Sequence, residues 1–557
     1  MTVELVLGPQ LRCVDGDRAT VWVECDAACE VSVTAESAVG RARTTSVAGR
    51  HYAVIVVADL PDASTVAYQV ALDDRQAWPD PESDLPPSVI RTEDRARPVR
   101  VVFGSCRVEA PMEPPWDRPA ADDDRGMGVD ALDALARRLA RQPPDALPDL
   151  LVMLGDQVYA DLVVHSAPDH DGDDEPPHSV ADLDEYVELY HQTWSHPFVR
   201  WLLSTVPSVM VFDDHDMVDD WNLSQAWLEH IVTEPWWDDR VAGGFISYWL
   251  HQHWGNLSPS ELTTDPLARE VAQVRDATDL LHRQVDGWRL DRATGQRTRW
   301  STSRDLNGTA AVRLVLLDTR NRRHLVEGER DILDHDEAAW LHDRARADRD
   351  GVDHLLVGSS LPWLLPPGVH DMERWAEALG AGRWGPPGRW LAEHARRAGD
   401  LEHWPSFGDS FDHLARLLSS VATGEQGPAP SSVLVLSGDV HFSYVAPVDL
   451  GVDGARVVQL VCSPIRNGVP ANLQRVLTMS STRLGSVAGR IARRTTGRGE
   501  EPLAWSLTGG PWFGNGIATL TLDGPTATVR FECSRHDHDG APDLFTVHEE
   551  RLAGPPS

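Results

Sequence analysis

The segment VLVLSGDVH, residues 433–441, runs through four large apolar residues and then stops at Ser-Gly-Asp-Val-His. A run of this kind reads as a strand buried on both faces that empties abruptly into a polar loop. Three other segments share the outline: VVFGSCR at 101–107, LLVMLGDQVYAD at 150–161 and VMVFDDHD at 209–216. In layered α/β proteins, ligands gather beyond the C-terminal ends of strands, where loops converge without disturbing the core. The four ends carry Cys106, Asp156, Tyr159, Asp214, His215, Asp439 and His441, a set able to hold two metal ions.

At 557 residues the chain is too long for one ordinary core, so two or more domains are expected. All 51 of its basic Lys/Arg positions are Arg, and the net charge is −35. That charge disfavours a stable nucleic-acid complex or an anionic membrane surface, and it makes divalent cations natural partners. Six cysteines are too few for a disulfide-built scaffold, and the Cys25–Cys29 spacing lacks the second ligand pair of a zinc site. No run of 18 apolar residues predicts a membrane span, and MTVELVLGPQLRC lacks the pattern of a secretory leader. As written, the sequence predicts a cytoplasmic protein, secreted only if a leader has been removed.

Residues 1–90 read as a small all-β sandwich of the immunoglobulin or fibronectin kind. ATVWVEC, CEVSVTA, HYAVIVVADL and STVAYQVAL are strand candidates with partial alternation, separated by Gly, Asp and Pro turns. A linker at 91–98 leads to a domain over 99–545 in which strands alternate with helices, and a tail follows at 546–557. VDALDALARRLA and 182–203 have helical period, whereas PDLLVML, VPSVMVF, AVRLVLLD, VDHLLVGSS and SSVLVLSG read as strands. Insertions are expected near 165–178 (an acidic solvated loop), 365–405 (a lid or rim) and 466–510 (Arg-rich, with an amphipathic helix). IATLTLDGPTATVRFEC predicts a hairpin adding edge strands to the main sheet.

Gly155 permits a sharp turn that aims Asp156 outward, and a carboxylate with two oxygens can bridge two metals. Four consecutive ionisable residues, Asp213 to Asp216, follow an apolar strand, and their mutual repulsion favours a bound cation. Asp439 and His441, two apart on an extended loop, fall on one side of it.

In these motifs the chain resembles the PhoD-like alkaline phosphatases and phosphodiesterases of the metallophosphoesterase superfamily. The matching stretches are GSCR at 104–107, GDQVYAD at 155–161, FDDHDMVDDWN at 212–222, LLDTR at 316–320 and GDVH at 438–441. The resemblance implies an α/β fold: a double β-sheet core flanked by helices, preceded by the small β-sandwich. It implies that Cys106, Asp156, Tyr159 and one of Asp439 and His441 hold one ion, Fe(III). Asp156 would bridge to a second ion, held also by Asp214 and the other of that pair, with Ca(II) expected and Zn(II) or Mn(II) as alternatives. His215 would donate to the phosphate or the leaving group, and Arg107 and Arg320 would bind phosphate oxygens. Asp216 and Asp219 depart from the family's usual Glu and Asn, and Asp219 is a further candidate ligand.

The expected chemistry is hydrolysis of a phosphate mono- or diester by metal-bound hydroxide. Two other classes stay open on the residues alone: a binding protein that metals merely stabilise, and a Cys-His hydrolase using Cys106 and His441.

Overall fold

The computed structural model describes residues 2–163, 179–290, 292, 298–425, 427–451, 454–468, 491, 495 and 503–555. The leading domain is two small sheets. One runs Leu5–Asp15, Arg18–Cys25, Arg50–Val57, Thr45–Val47. The other runs Ala38–Arg43, Glu30–Ala35, Thr65–Leu72, Arg75–Trp78, with Val89–Arg91 also against Thr65–Leu72. Alternation is clearest in Thr65–Leu72, where Val66, Tyr68, Val70 and Leu72 are buried and Thr65, Ala67 and Gln69 exposed. Leu5–Asp15 escapes a pattern reading because Gly8-Pro9 interrupts it, and its pairing with Arg18–Cys25 slips register three times.

The larger domain has two sheets. One is ordered Ser208–Met210, Leu150–Met153, Val99–Gly104, Gly516–Asp523, Thr526–His536, Pro542–Ala553. Its first three strands are parallel and the rest antiparallel. The other is ordered Thr302–Asn307, Ala311–Leu317, His354–Ser359, Ser432–Ser437, Arg456–Val461, Ser443–Asp449, Ala504–Trp505. The sheets pack face to face: Val101, Phe103, Val152 and Val209 share one apolar layer with Leu314, Leu316, Leu356 and Leu436. The opposite faces lie under helices such as Ala131–Leu139, His335–Arg346 and Gly408–Ala422. Burial on both faces is why central strands such as Leu150–Met153 and Ser432–Ser437 are dominated by apolar runs. No helix among the described residues is long and apolar enough to cross a membrane.

Two expectations change. The hairpin around Asp523-Gly524 lies inside the first sheet, because Gly516–Asp523 pairs directly with Val99–Gly104. The segment expected as a tail is mostly strand: Pro542–Ala553 forms the sheet edge, its charged residues turned to solvent. The 365–405 insertion, expected as a lid or rim, is built on a helical hairpin, Pro367–Gly380 and Gly385–Gly399. The loop expected near 165–178 and the amphipathic helix within 466–510 lie outside the described residues.

Candidate metal centre

Strands Val99–Gly104, Leu150–Met153 and Ser208–Met210 of one sheet and Ser432–Ser437 of the other deliver their C-terminal loops to one rim. Two glycines let these loops touch. A Cβ on Gly155 (φ +106°) would lie 2.5 Å from Asp213 Cβ, and one on Gly438 would lie 2.0 Å from Ser105 Oγ. Ser105 Oγ in turn accepts from the Asp439 N–H at 3.0 Å, locking the Cys106 loop to the Gly-Asp-Val-His loop. Gly438→Ala is therefore expected to cost about 1–3 kcal/mol, the usual penalty for overpacking, measured as a lower urea midpoint at unchanged slope.

The loops are held in unusual backbone conformations. Cys106 (φ 59°), Asp156 (φ 50°), Asp439 (φ 66°) and His441 (φ 57°) all occupy the left-handed region that side chains other than Gly rarely adopt. Such residues persist only where their surroundings over-determine them, and they concentrate at functional sites.

The side chains converge. Tyr159 Oη lies 3.4 Å from both Asp156 Oδ2 and His441 Nε2. Asn467 Nδ2 donates to Tyr159 Oη at 3.1 Å and lies 3.3 Å from His441 Nε2. Asp156 Oδ1 accepts from the His215 N–H at 3.2 Å. Two groups have ligand atoms mutually within 4.8 Å: Asp156, Asp214 and His215, and Asp213, Asp214 and Asp439. Cys106 Sγ bonds with Ser105 Oγ (3.0 Å) and Ser463 Oγ (3.2 Å) and approaches the Asp439 carbonyl at 3.6 Å. Asp219 stands at the margin, its side chain largely exposed and its Oδ1 4.0 Å from His215 Nε2.

The donor set fits cations. Burial and the neighbouring Cys106 and Asp213 push the Asp156 carboxyl well above its usual range. Burial, against the pull of Arg320, leaves Asp214 pushed up to about 6. Burial and the Asp439 charge push the Cys106 thiol up to about 12. Asp213 Oδ2 is buried with no hydrogen-bond partner. These are groups that resist ionising together and would do so around metal ions, which bind hard carboxylates and deprotonated thiols. The same thiol burial weakens the Cys-His alternative: Cys106 is fully buried, and no histidine nitrogen bonds its sulfur among the described residues.

The two arginines take other positions. Arg107 is buried, its fork turned to Asp130 Oδ2 (2.8 Å) and the Thr193 carbonyl (2.7 Å). Arg320 has no exposed surface. It bonds Asp213 and Glu402 and, through one Nη2, both Asp214 Oδ1 and Asp439 Oδ1 at 3.0 Å. Neither guanidinium presents a free edge to a phosphate. Asp439 and Asp214 share that nitrogen yet shift oppositely. Asp439 also accepts from His403 Nε2 at 2.9 Å, which outweighs its burial and holds it below the usual range.

Several members of the cluster have no sequence signature. Glu402 and His403 enter from the exit of the helical hairpin, and His403 Nδ1 bonds Glu373 Oε1 at 2.6 Å. Asn467 arrives from beyond Arg456–Val461. Asp161, by contrast, closes the GDQVYAD motif, and it bonds His215 Nδ1 at 2.9 Å. Burial opposes charge on that imidazole, but Asp161, Asp214 and Asp156 outweigh it and hold the His215 pKa well above its ordinary value.

Facing mixed sheets bring acidic and imidazole groups to one rim, where two adjacent clusters that share Asp214 fit a binuclear metal site. A family model described as PhoD-like phosphatase matches residues 133–487, more than half of the chain. The chain belongs to the PhoD-like phosphatase family. Residues 2–90 match a second model, described as a domain of unknown function (DUF7800). A solved structure of PhoD is similar in fold, with TM-score 0.59 and 11% identity over 99% of this chain and 93% of that one. A purple acid phosphatase from yellow lupin (Lupinus luteus) superposes with TM-score 0.46 and 11% identity, covering 97% of this chain and 73% of that one. No curated protein matches the chain.

Proposed function

We propose that the chain hydrolyses small-molecule phosphate mono- and diesters at the rim formed by Cys106, Asp156, Asp214 and Asp439. The observation that carries this reading is Asp156. One of its oxygens faces Tyr159 and the other the His215 backbone, and its carboxylate belongs to a cluster that also includes Asp214. Asp156 would bridge the two cations. Cys106, Tyr159 and His441 would hold the first, while Asp214 and Asp439, with the unpartnered oxygen of Asp213, would hold the second. A thiolate and a phenolate suit Fe(III) at the first position, and the all-carboxylate second position suits Ca(II), with Zn(II) or Mn(II) as alternatives. Bound there, the cations would supply an activated water and neutralise charge on the phosphoryl oxygens.

The protein's own groups do the remainder. His215, its Nδ1 fixed by Asp161, keeps a proton on Nε2 for the departing oxygen. Arg320 serves as a buried positioning cation that spaces Asp213, Asp214 and Asp439, in place of the phosphate contact expected from sequence. Arg107 ties the Cys106 loop to the helix beginning at Ala131 through its N-cap, Asp130. With a net charge of −35 the surface opposes a nucleic-acid substrate and favours a small ester drawn in by the cations.

The test is hydrolysis of p-nitrophenyl phosphate and bis-p-nitrophenyl phosphate by the protein as purified, after chelation, and after metal is restored. Turnover of at least one ester is expected, lost on chelation together with a visible Tyr-to-Fe(III) absorption band and recovered with metal. A metal-replete protein inert toward both esters would favour the binding-protein reading.

A further inference from the structure

The helix that begins at Trp237 changes pitch over Trp249–His253, a π-helical turn, before ending at Asn256. Such turns expose backbone groups that the regular ladder would satisfy, and they recur at functional sites. Here three successive carbonyls of that turn are taken by side chains of the leading β domain. Trp22 Nε1 donates to the Leu250 carbonyl at 2.8 Å, Arg12 Nη1 to that of His251 at 3.0 Å, and Arg12 Nη2 to that of Gln252 at 2.8 Å. Arg12 is buried, and its other partners are Gln10 Oε1, Met210 Sδ and Asn256 Oδ1, with no carboxylate among them. Its charge faces the negative end of the helix. Gly255 gives it passage: a Cβ there would lie 2.4 Å from Arg12 Nε.

From this turn and the helix end just after it, two side chains reach the metal centre's supporting loops. Gln252 Nε2 donates to Tyr190 Oη at 2.8 Å and to Asp216 Oδ1 at 3.1 Å. Asp216 then accepts the Asp213 N–H at 3.0 Å on Oδ2 and the Val158 N–H at 3.4 Å on Oδ1. One carboxylate thus clasps the Asp156–Tyr159 loop and the Asp213–His215 loop. Asn256 grips the strand that leads into the second loop, bonding Met210 N at 3.0 Å and Met210 O at 2.6 Å.

We propose that the leading β domain, matched only as a domain of unknown function, is a positioning element of the phosphoesterase site. Arg12 and Trp22 fix the π turn, and Gln252 and Asn256 transmit that placement to the two ligand loops. The domain would then be an integral part of the enzyme, setting the spacing on which two-metal binding depends. Partners bonded directly to metal ligands typically alter metal affinity by 10–100-fold, and Gln252 acts one bond further out, through Asp216. The inference rests on the two-metal reading above.

The test uses the full chain stripped of metal, as wild type, Arg12→Met, Gln252→Met and the control Tyr68→Phe. Tyr68 Oη bonds the Ser204 carbonyl at 2.6 Å, a second bridge between the same domains that does not lead to Asp216. Mn(II) affinity, amide exchange of peptides spanning 155–161 and 211–217, and melting temperature are measured on each. Arg12→Met and Gln252→Met are expected to bind Mn(II) 10–100-fold more weakly and to exchange about tenfold faster in those peptides. Tyr68→Phe should match wild type in both while losing melting temperature. Wild-type affinity and exchange in Gln252→Met, or equal losses in Tyr68→Phe, would overturn the proposal. If Arg12→Met does not fold, Arg12→Lys, which keeps the buried charge but cannot reach both carbonyls at once, takes its place. Failure of the function itself reads differently: the wild type would bind Mn(II) yet hydrolyse neither nitrophenyl ester.

Discussion

Asp156→Asn is expected to lower turnover of bis-p-nitrophenyl phosphate on the order of 10³-fold, with at least one of the two cations lost on dialysis. An amide has the shape of the carboxylate but one oxygen and no charge, so it cannot bridge two cations. Lewis-acid stabilisation worth several kcal/mol corresponds to a loss of that size. Asp156 is nearly fully buried, beside Tyr159 Oη and the His215 N–H, so no water-exposed neighbour stands ready to replace it. The folded state should tolerate the change. In the absence of metal, burial, Cys106 and Asp213 already disfavour the charged form of this carboxyl. Unchanged or raised stability of the metal-free variant beside collapsed turnover is the expected pairing, read by metal analysis, melting temperature and kcat on one preparation. Normal metal content and turnover would remove Asp156 from the site.

His215→Asn is expected to reduce hydrolysis of alkyl phosphate esters by about 10²–10⁴-fold, the range for loss of a positioned general acid. Nitrophenyl esters, whose leaving group departs without help from a proton, should lose much less. This contrast separates a proton donor from a metal ligand, since loss of a ligand would slow both substrate classes alike. The Asp161–His215 pair at 2.9 Å is what makes the imidazole a donor: the carboxylate fixes Nδ1 and favours the protonated ring. The ring also stacks on Tyr159 at 4.4 Å, holding it over the rim. Metal content in this variant should match wild type.

Much of the framework was legible because burial on both faces leaves a plain trace. Leu150–Met153 is wholly apolar, Ala311–Leu317, His354–Ser359 and Ser432–Ser437 each carry an apolar run of three or more residues, and each was readable as a strand. The Gly-Asp endings at 155–156 and 438–439 were readable for the same reason: a glycine at a strand end marks a close approach, here to Asp213 and Ser105. What pattern cannot give is direction and partnership across long separations. Arg107 and Arg320 both follow strand ends and look like phosphate contacts. Which way each guanidinium turns depends on Asp130, Thr193, Glu402 and Asp439, supplied by distant segments. His403 and Asn467 sit in stretches without a strand-end signature, and only the fold carries them to Asp439 and Tyr159. Pro542–Ala553 hid for another reason. As an edge strand it keeps a charged, polar face, and its alternation is correspondingly weak.

The central claim is that four strand ends close around a pair of cations. Anomalous diffraction from crystals of the metal-loaded protein, recorded at the absorption edges of the bound metals, tests it most directly. Two peaks about 3.5–4 Å apart are expected, one on either side of the Asp156 carboxylate, the first within reach of Cys106 and Tyr159 and the second of Asp214. An absence of peaks at this rim under saturating metal, or a lone peak out of reach of Asp156, would contradict it.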